Sequence, residues 1–154
     1  MSDYFSTEER KLEFLKEAES WLGTPFRPYC AVKGRGVDCV RFIGALYARV
    51  GAIPLIDWGR FPKYNLDWSA HNEEPILEEA LEALGLRYRK IEKEEALDVG
   101  DVLAFAPGKV VHHLAAYCGR RRVIHSLRDR RVDFTPSNHP TLKRLHQYTM
   151  RPTI

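Results

Sequence analysis

Apolar residues first recur at helical spacing. Leu12, Leu15, Ala18, Trp21 and Leu22 mark one face of a helix. Ahead of them, Ser6-Thr7-Glu8-Glu9 has the form of a capping box, in which Ser6 and Glu9 satisfy each other's open amides. Gly23 ends this helix and Pro25 blocks its resumption. Residues 24–37, rich in glycine and proline, read as a loop. A second helix is predicted from about Asp38, with Val40, Ile43, Ala45, Leu46, Tyr47 and Val50 as its apolar face and Gly51 as its stop. Residues 52–70 carry Trp, Pro, Asp and Tyr without a period, and long irregular connections of this kind are often functional. A third helix is predicted over 75–84, with Asn72 or Glu74 near its cap, Pro75 in its first turn and Gly85 beyond its end.

The period then changes. Segments 86–91, 101–106, 111–118, 122–127 and 144–151 read as strands, several of them separated by turn signals at Asp98-Val99-Gly100, Pro107-Gly108 and Gly119. Helices followed by hairpin-linked strands predict an α+β domain with an antiparallel sheet. The 154 residues suit one domain, 1–154, around one core.

Composition narrows the class. The chain is 44% hydrophobic and 29% charged, as folded globular chains are. A net charge of +3 does not by itself argue for nucleic acid. The basic run from Arg120 to Arg131 reads first as a solvated turn and edge, with contact to an anionic partner as the sharper alternative. No aromatic stacking platform accompanies it, so nucleic acid is not expected. Residues 1–16 lack an apolar signal core and no run reaches transmembrane length, which predicts synthesis in the cytoplasm and no membrane partner. Export in a virion or a contractile injection machine stays open. Three cysteines, Cys30, Cys39 and Cys118, have no paired spacing and do not suggest a disulfide framework.

Cys39 is the first candidate for chemistry. It falls in the first turn of the second helix, where open amides and positive potential lower a thiol's pKa and can hold an oxyanion. It also reads as a small buried apolar residue. Alternation along the apolar strand around His112 and His113 sends those two imidazoles to opposite faces. A turn that pairs Tyr117 with Arg121 would place His113 directly across from His125, and a turn one residue shorter would put His125 with His112 instead. Cys39, His113 and His125 together make a nucleophile, base and orienter set. His112 competes with His113 for the role of base. A zinc site from Cys30, Cys39 and His112 lacks a short-spaced ligand pair, so no metal is expected.

The ordered segments Trp21-Leu22-Gly23-Thr24-Pro25-Phe26-Arg27, Gly36-Val37-Asp38-Cys39, Asp98-Val99-Gly100-Asp101-Val102, His113 to Tyr117, Val123-Ile124-His125-Ser126 and Tyr148 to Pro152 resemble those of NlpC/P60 domains. The resemblance spans nearly the whole chain and is strongest to the phage-associated branch. It implies a papain-like α+β fold with a catalytic helix packed on an antiparallel sheet. It implies a cysteine peptidase or amidase acting on peptidoglycan stem peptides, with Cys39 as nucleophile, His113 as base, His125 as third polar residue and no cofactor. Phe26 stands where the family usually has an oxyanion-site tyrosine, with Tyr29 nearby, and Val40-Arg41 replaces the usual Ser-Gly. Asp38 and Trp58 join Phe26 and Tyr29 as candidates on the oxyanion and substrate side. Segment 52–95 is long for a minimal domain, and its Trp58, Phe61, Tyr64 and Trp68 could shape a polar or an apolar groove. Phage-tail or injection-machine proteins are the expected protein partners. The rival readings are a non-catalytic assembly or binding module on this fold and an acyl-transfer enzyme acting on a lipid or small amide.

Overall fold

The computed structural model describes residues 2–61, 76–92, 95–106 and 113–154. Helix α1 (Glu8–Glu19) starts one residue later than the capping-box pattern suggests. Thr7 is the N-cap, and its Oγ1 accepts the Arg10 amide at 3.2 Å. Its buried face is Phe14 and Ala18, followed by Trp21, while Leu12 and Leu22 are exposed. The loop before the second helix contains a small hairpin, β1 (Ala31–Val32) with β2 (Gly36–Val37), where the sequence suggested irregular chain throughout. Gly36 is required there, because a Cβ would lie 2.5 Å from the Arg27 side chain.

Helix α2 (Cys39–Arg49) is buried along nearly its whole length. Trp58, at the start of a 3-10 turn (Trp58–Arg60), packs against it at Gly44 and Arg41, and helix α3 (Ile76–Ala83) follows. Among the described residues the sheet has six antiparallel strands in the order β3-β8-β4-β5-β6-β7. They are β3 (Tyr88–Ile91), β4 (Val102–Phe105), β5 (His113–Tyr117), β6 (Arg122–His125), β7 (Asp133–Pro136) and β8 (His146–Pro152). Strand β7 and the short helix α4 (Pro140–Leu145) were not predicted, because Pro136, Pro140 and the charged run before them mask a four-residue edge strand.

The alternation of β4 to β6 builds two packed faces. Val102, Ala104, Leu114, Ala116 and Ile124 join α2 in the main core. Leu103, Phe105, Ala115, Tyr117 and Val123 form a second cluster, covered by Leu142 of α4. Strand β8 enters between β3 and β4, so the end of the chain zips segment 86–91 onto the sheet. Tyr47 of α2 donates its buried hydroxyl to the Gly100 carbonyl at 2.6 Å, fixing the helix against the start of β4. The cap of α3, the Pro107-Gly108 turn, Tyr64, Trp68 and His112 lie outside the described residues.

Candidate active site

Asp38 starts α2 as its N-cap, with extended backbone at φ −97° and ψ 175°. One carboxylate oxygen accepts the Arg41 amide at 2.9 Å. The other accepts the Tyr29 amide at 2.9 Å and the Arg41 Nη1 at 2.8 Å. Cys39 is thereby set at the helix tip. The approach is tied down from the sheet as well, since the buried Ser126 hydroxyl donates to the Val37 carbonyl at 2.8 Å.

The Cys39 thiol meets β5, where the Leu114 amide is a hydrogen-bond donor to it, together with the amides of Val40 and Cys39 itself. Leu114 directly follows His113, so the thiol lies against the strand that carries the imidazole. Burial first, and then the Asp38 carboxylate, push the thiol up to about 12. This corrects the expectation that the helix start leaves it depressed: the three amides act in that direction, but desolvation of the charged form outweighs them. Both causes favour the neutral thiol, and a sulfur in that form would need a base to take its proton before it could attack.

His113 opens β5 and packs its ring against Phe105, with centroids 5.9 Å apart. Its Nε2 lies 2.9 Å from Nδ1 of His125. The register corrects the direct pairing expected from the sequence. Tyr117 faces Val123 and Ala116 faces Ile124, so the pairing is offset by two residues and the two imidazoles are diagonal neighbours on one face. The turn accommodates the extra length by holding Gly119, Arg120 and Arg121 all at positive φ. An even offset preserves the face, which is why the histidines still meet.

His125 is 2% exposed, and burial depresses it to about 4, partly opposed by Asp133. It is therefore neutral at physiological pH. Its Nε2 lies 2.8 Å from the Thr135 hydroxyl of β7. The line admits two proton arrangements, and one of them leaves His113 Nδ1 free to accept a proton: His113 Nε2–H donates to His125 Nδ1, and His125, protonated on Nε2, donates to Thr135 Oγ1. Thr135 was missed from the sequence because its strand was missed.

The other candidates divide. Tyr29, at φ 60° and partly exposed, stands with Asp38 at the helix start. Phe26 is held by its backbone, bridging Val37 and donating its amide to the Arg130 carbonyl. Trp58 lies farther along α2, packed over Gly44 and beside Arg41. The basic run splits between two ends of β6: Arg120 and Arg121 in the turn, and Arg130 and Arg131 beside the loop that precedes Cys39. An apolar groove of about 440 Å³ between Pro54, Ile56, Phe61 and Leu84 is lined by none of Cys39, His113 or His125. Among the described residues no group of three or more His, Cys, Asp or Glu is placed to hold a metal ion, and no helix is long and apolar enough to cross a membrane.

The NlpC/P60 family model matches residues 23–150, a stretch that holds α2 and both histidines. The chain belongs to the NlpC/P60 family. NlpC/P60 proteins are typically peptidoglycan hydrolases, and non-catalytic members occur among them. An NlpC/P60 family protein from Bacillus cereus is 25% identical, with a TM-score of 0.61 over 90% of this chain and 39% of its own. The present chain thus spans about two fifths of that protein. The NlpC/p60 domain of the peptidoglycan hydrolase SagA is 18% identical, with a TM-score of 0.58 over 94% of this chain and 98% of its own. RipD from Mycobacterium tuberculosis, a non-catalytic NlpC/p60 domain protein adapted to peptidoglycan binding, is 14% identical, with a TM-score of 0.57 over 96% and 100%. Among curated proteins, none matches the chain. The two more distant likenesses concern the fold, an α+β papain-like arrangement of helices on an antiparallel sheet.

Proposed function

We propose that this protein is a cysteine peptidase or amidase that hydrolyses an amide bond in peptidoglycan stem peptides. The observation that carries the reading is a capped cysteine at a helix tip, hydrogen-bonded to β5 at the amide of Leu114, the residue that follows His113, with His113 starting the hydrogen-bonded line His113–His125–Thr135. His113 takes the Cys39 proton as the sulfur attacks the scissile carbonyl. The amide of Cys39 holds the oxyanion, with Tyr29, whose own amide bonds the Asp38 cap, as the aromatic residue on that side. His113 then gives its proton to the leaving amine, and water attacks the thioester with His113 again as base.

A binding-only role on the same fold has no use for an ordered Cys-His-His-Thr set, because buried polar groups are costly unless they serve a purpose. Purified wall fragments incubated with the protein should release shortened peptides, resolved by mass spectrometry. Cys39→Ala should abolish the release and still give a native circular dichroism spectrum. Undiminished cleavage by that variant excludes Cys39 as the nucleophile. Wall binding without any new amine end, by the wild-type protein, favours the binding role instead.

A further inference from the structure

Arg41 is not among the groups used so far, yet it is one of the most buried side chains in the protein, at 2% exposure beside an Asp38 at 1%. Its Nη1 is 2.8 Å from Asp38. Its guanidinium is sleeved by three rings, with Phe61 at 4.9 Å, Tyr29 at 5.5 Å and Trp58 at 5.8 Å. Its Nε has no hydrogen-bond partner among the described residues. As a source of stability this is a poor arrangement. A buried ion pair is often matched or surpassed by apolar residues of similar volume, and position 41 lies between Val40 and Phe42 in the main core.

The placement makes sense at the nucleophile. Capping α2 needs a side-chain acceptor, but a charged cap puts a carboxylate next to the very sulfur that must become an anion. We infer that Arg41 is a positioning residue whose guanidinium, clamped on Asp38, offsets part of the carboxylate's field at the Cys39 sulfur and holds the charged cap in place. The inference rests on Cys39 being the nucleophile. Among the described residues, the charged and titratable groups of the elements that meet here are the Asp38 cap and Arg41 at the start of α2, Tyr29 in the preceding loop, and His113 and His125 on β5 and β6, with Asp133 of β7 acting on His125. His125 is neutral above about pH 4, so Arg41 is the cation paired with Asp38. The Asp38 carboxylate is the second cause, after burial, of the raised thiol.

The test is the pH profile of Cys39 carboxamidomethylation by iodoacetamide, read by peptide mass spectrometry so that Cys30 and Cys118 are scored separately. Thiolate is the reacting form, so rate at a fixed pH follows its fraction. Arg41→Met should move the profile about one pH unit to the alkaline side, a rate about ten-fold lower near neutrality. Asp38→Asn, which keeps a capping oxygen, should move it to the acid side. The double variant should fall between the two single variants. An unmoved Arg41→Met profile, or a double variant displaced as far as Arg41→Met, overturns the inference. Should Arg41→Met fail to fold, Asp38→Asn decides alone: an unshifted profile shows that no carboxylate field reaches the sulfur for Arg41 to offset, and refutes the inference. No substrate enters the assay, so its failure leaves hydrolysis by Cys39 standing, and a failed hydrolysis assay leaves the profile readable.

Discussion

Replacing His125 by glutamine should flatten the acid side of the protein's stability curve. In the folded chain burial holds this imidazole at about 4, whereas in the unfolded chain it titrates near 6.5. Between those values the unfolded chain binds a proton that the folded chain refuses, so stability falls as the pH falls. The loss begins near pH 6.5 and is complete near pH 4. At about 1.4 kcal/mol per pH unit it reaches about 2 kcal/mol by pH 5 and about 3 kcal/mol at the lower limit. The sum is large beside the roughly 5–15 kcal/mol that holds a domain folded. Urea denaturation at pH 7, 6 and 5 measures it above the range in which most carboxylates titrate. Glutamine can still offer polar atoms to His113 and Thr135, so the two proteins should be compared by slope rather than by absolute stability. Wild type should lose about 2 kcal/mol more than His125→Gln between pH 7 and pH 5. Equal slopes would mean that His125 is not held neutral by its burial, and the proton arrangement drawn for His113 would fall with it.

Thr135→Val, nearly isosteric, removes the acceptor for His125 Nε2–H. It should lower kcat by roughly ten-fold, within the range expected of a group that supports acid–base catalysis, while Thr135→Ser restores it. Nitrogen-15 shifts of the histidine rings would show whether the Nε2–H tautomer of His125 is lost in the valine variant. Gly44→Ala should destabilise despite alanine's better helix propensity. The new Cβ would sit 2.7 Å from the Trp58 ring, 3.1 Å from Leu84 and 3.3 Å from Ile56. Overpacking of about 1–3 kcal/mol against a helix gain of about 1 kcal/mol leaves a net loss of about 1 kcal/mol in urea denaturation. An unchanged or raised midpoint would show that Trp58 can swing aside freely.

Local pattern was enough to place Cys39. An acidic cap followed by an amphipathic run sets where α2 begins, whatever surrounds it, and the structure starts the helix at that residue. The strand segments around His113 and His125 were also legible, since each is a short apolar run next to a turn signal, and both are buried on their two faces. What pattern could not specify was the partner of each residue. The two-residue offset between β5 and β6 depends on a turn that holds two arginines at positive φ, a conformation their residue type does not announce. Thr135 reaches His125 only because β7 pairs with β6 along the sheet edge. Arg41 becomes a buried cation only because Phe61 and Trp58, some twenty residues away, fold over it. The same holds for the Cys39 thiol. Its helix start is local and favours the anion, but the desolvation that opposes it is a property of the folded chain as a whole. Periodicity records which way a side chain faces. How dry and how charged the space in front of it becomes is set by chain brought in from elsewhere.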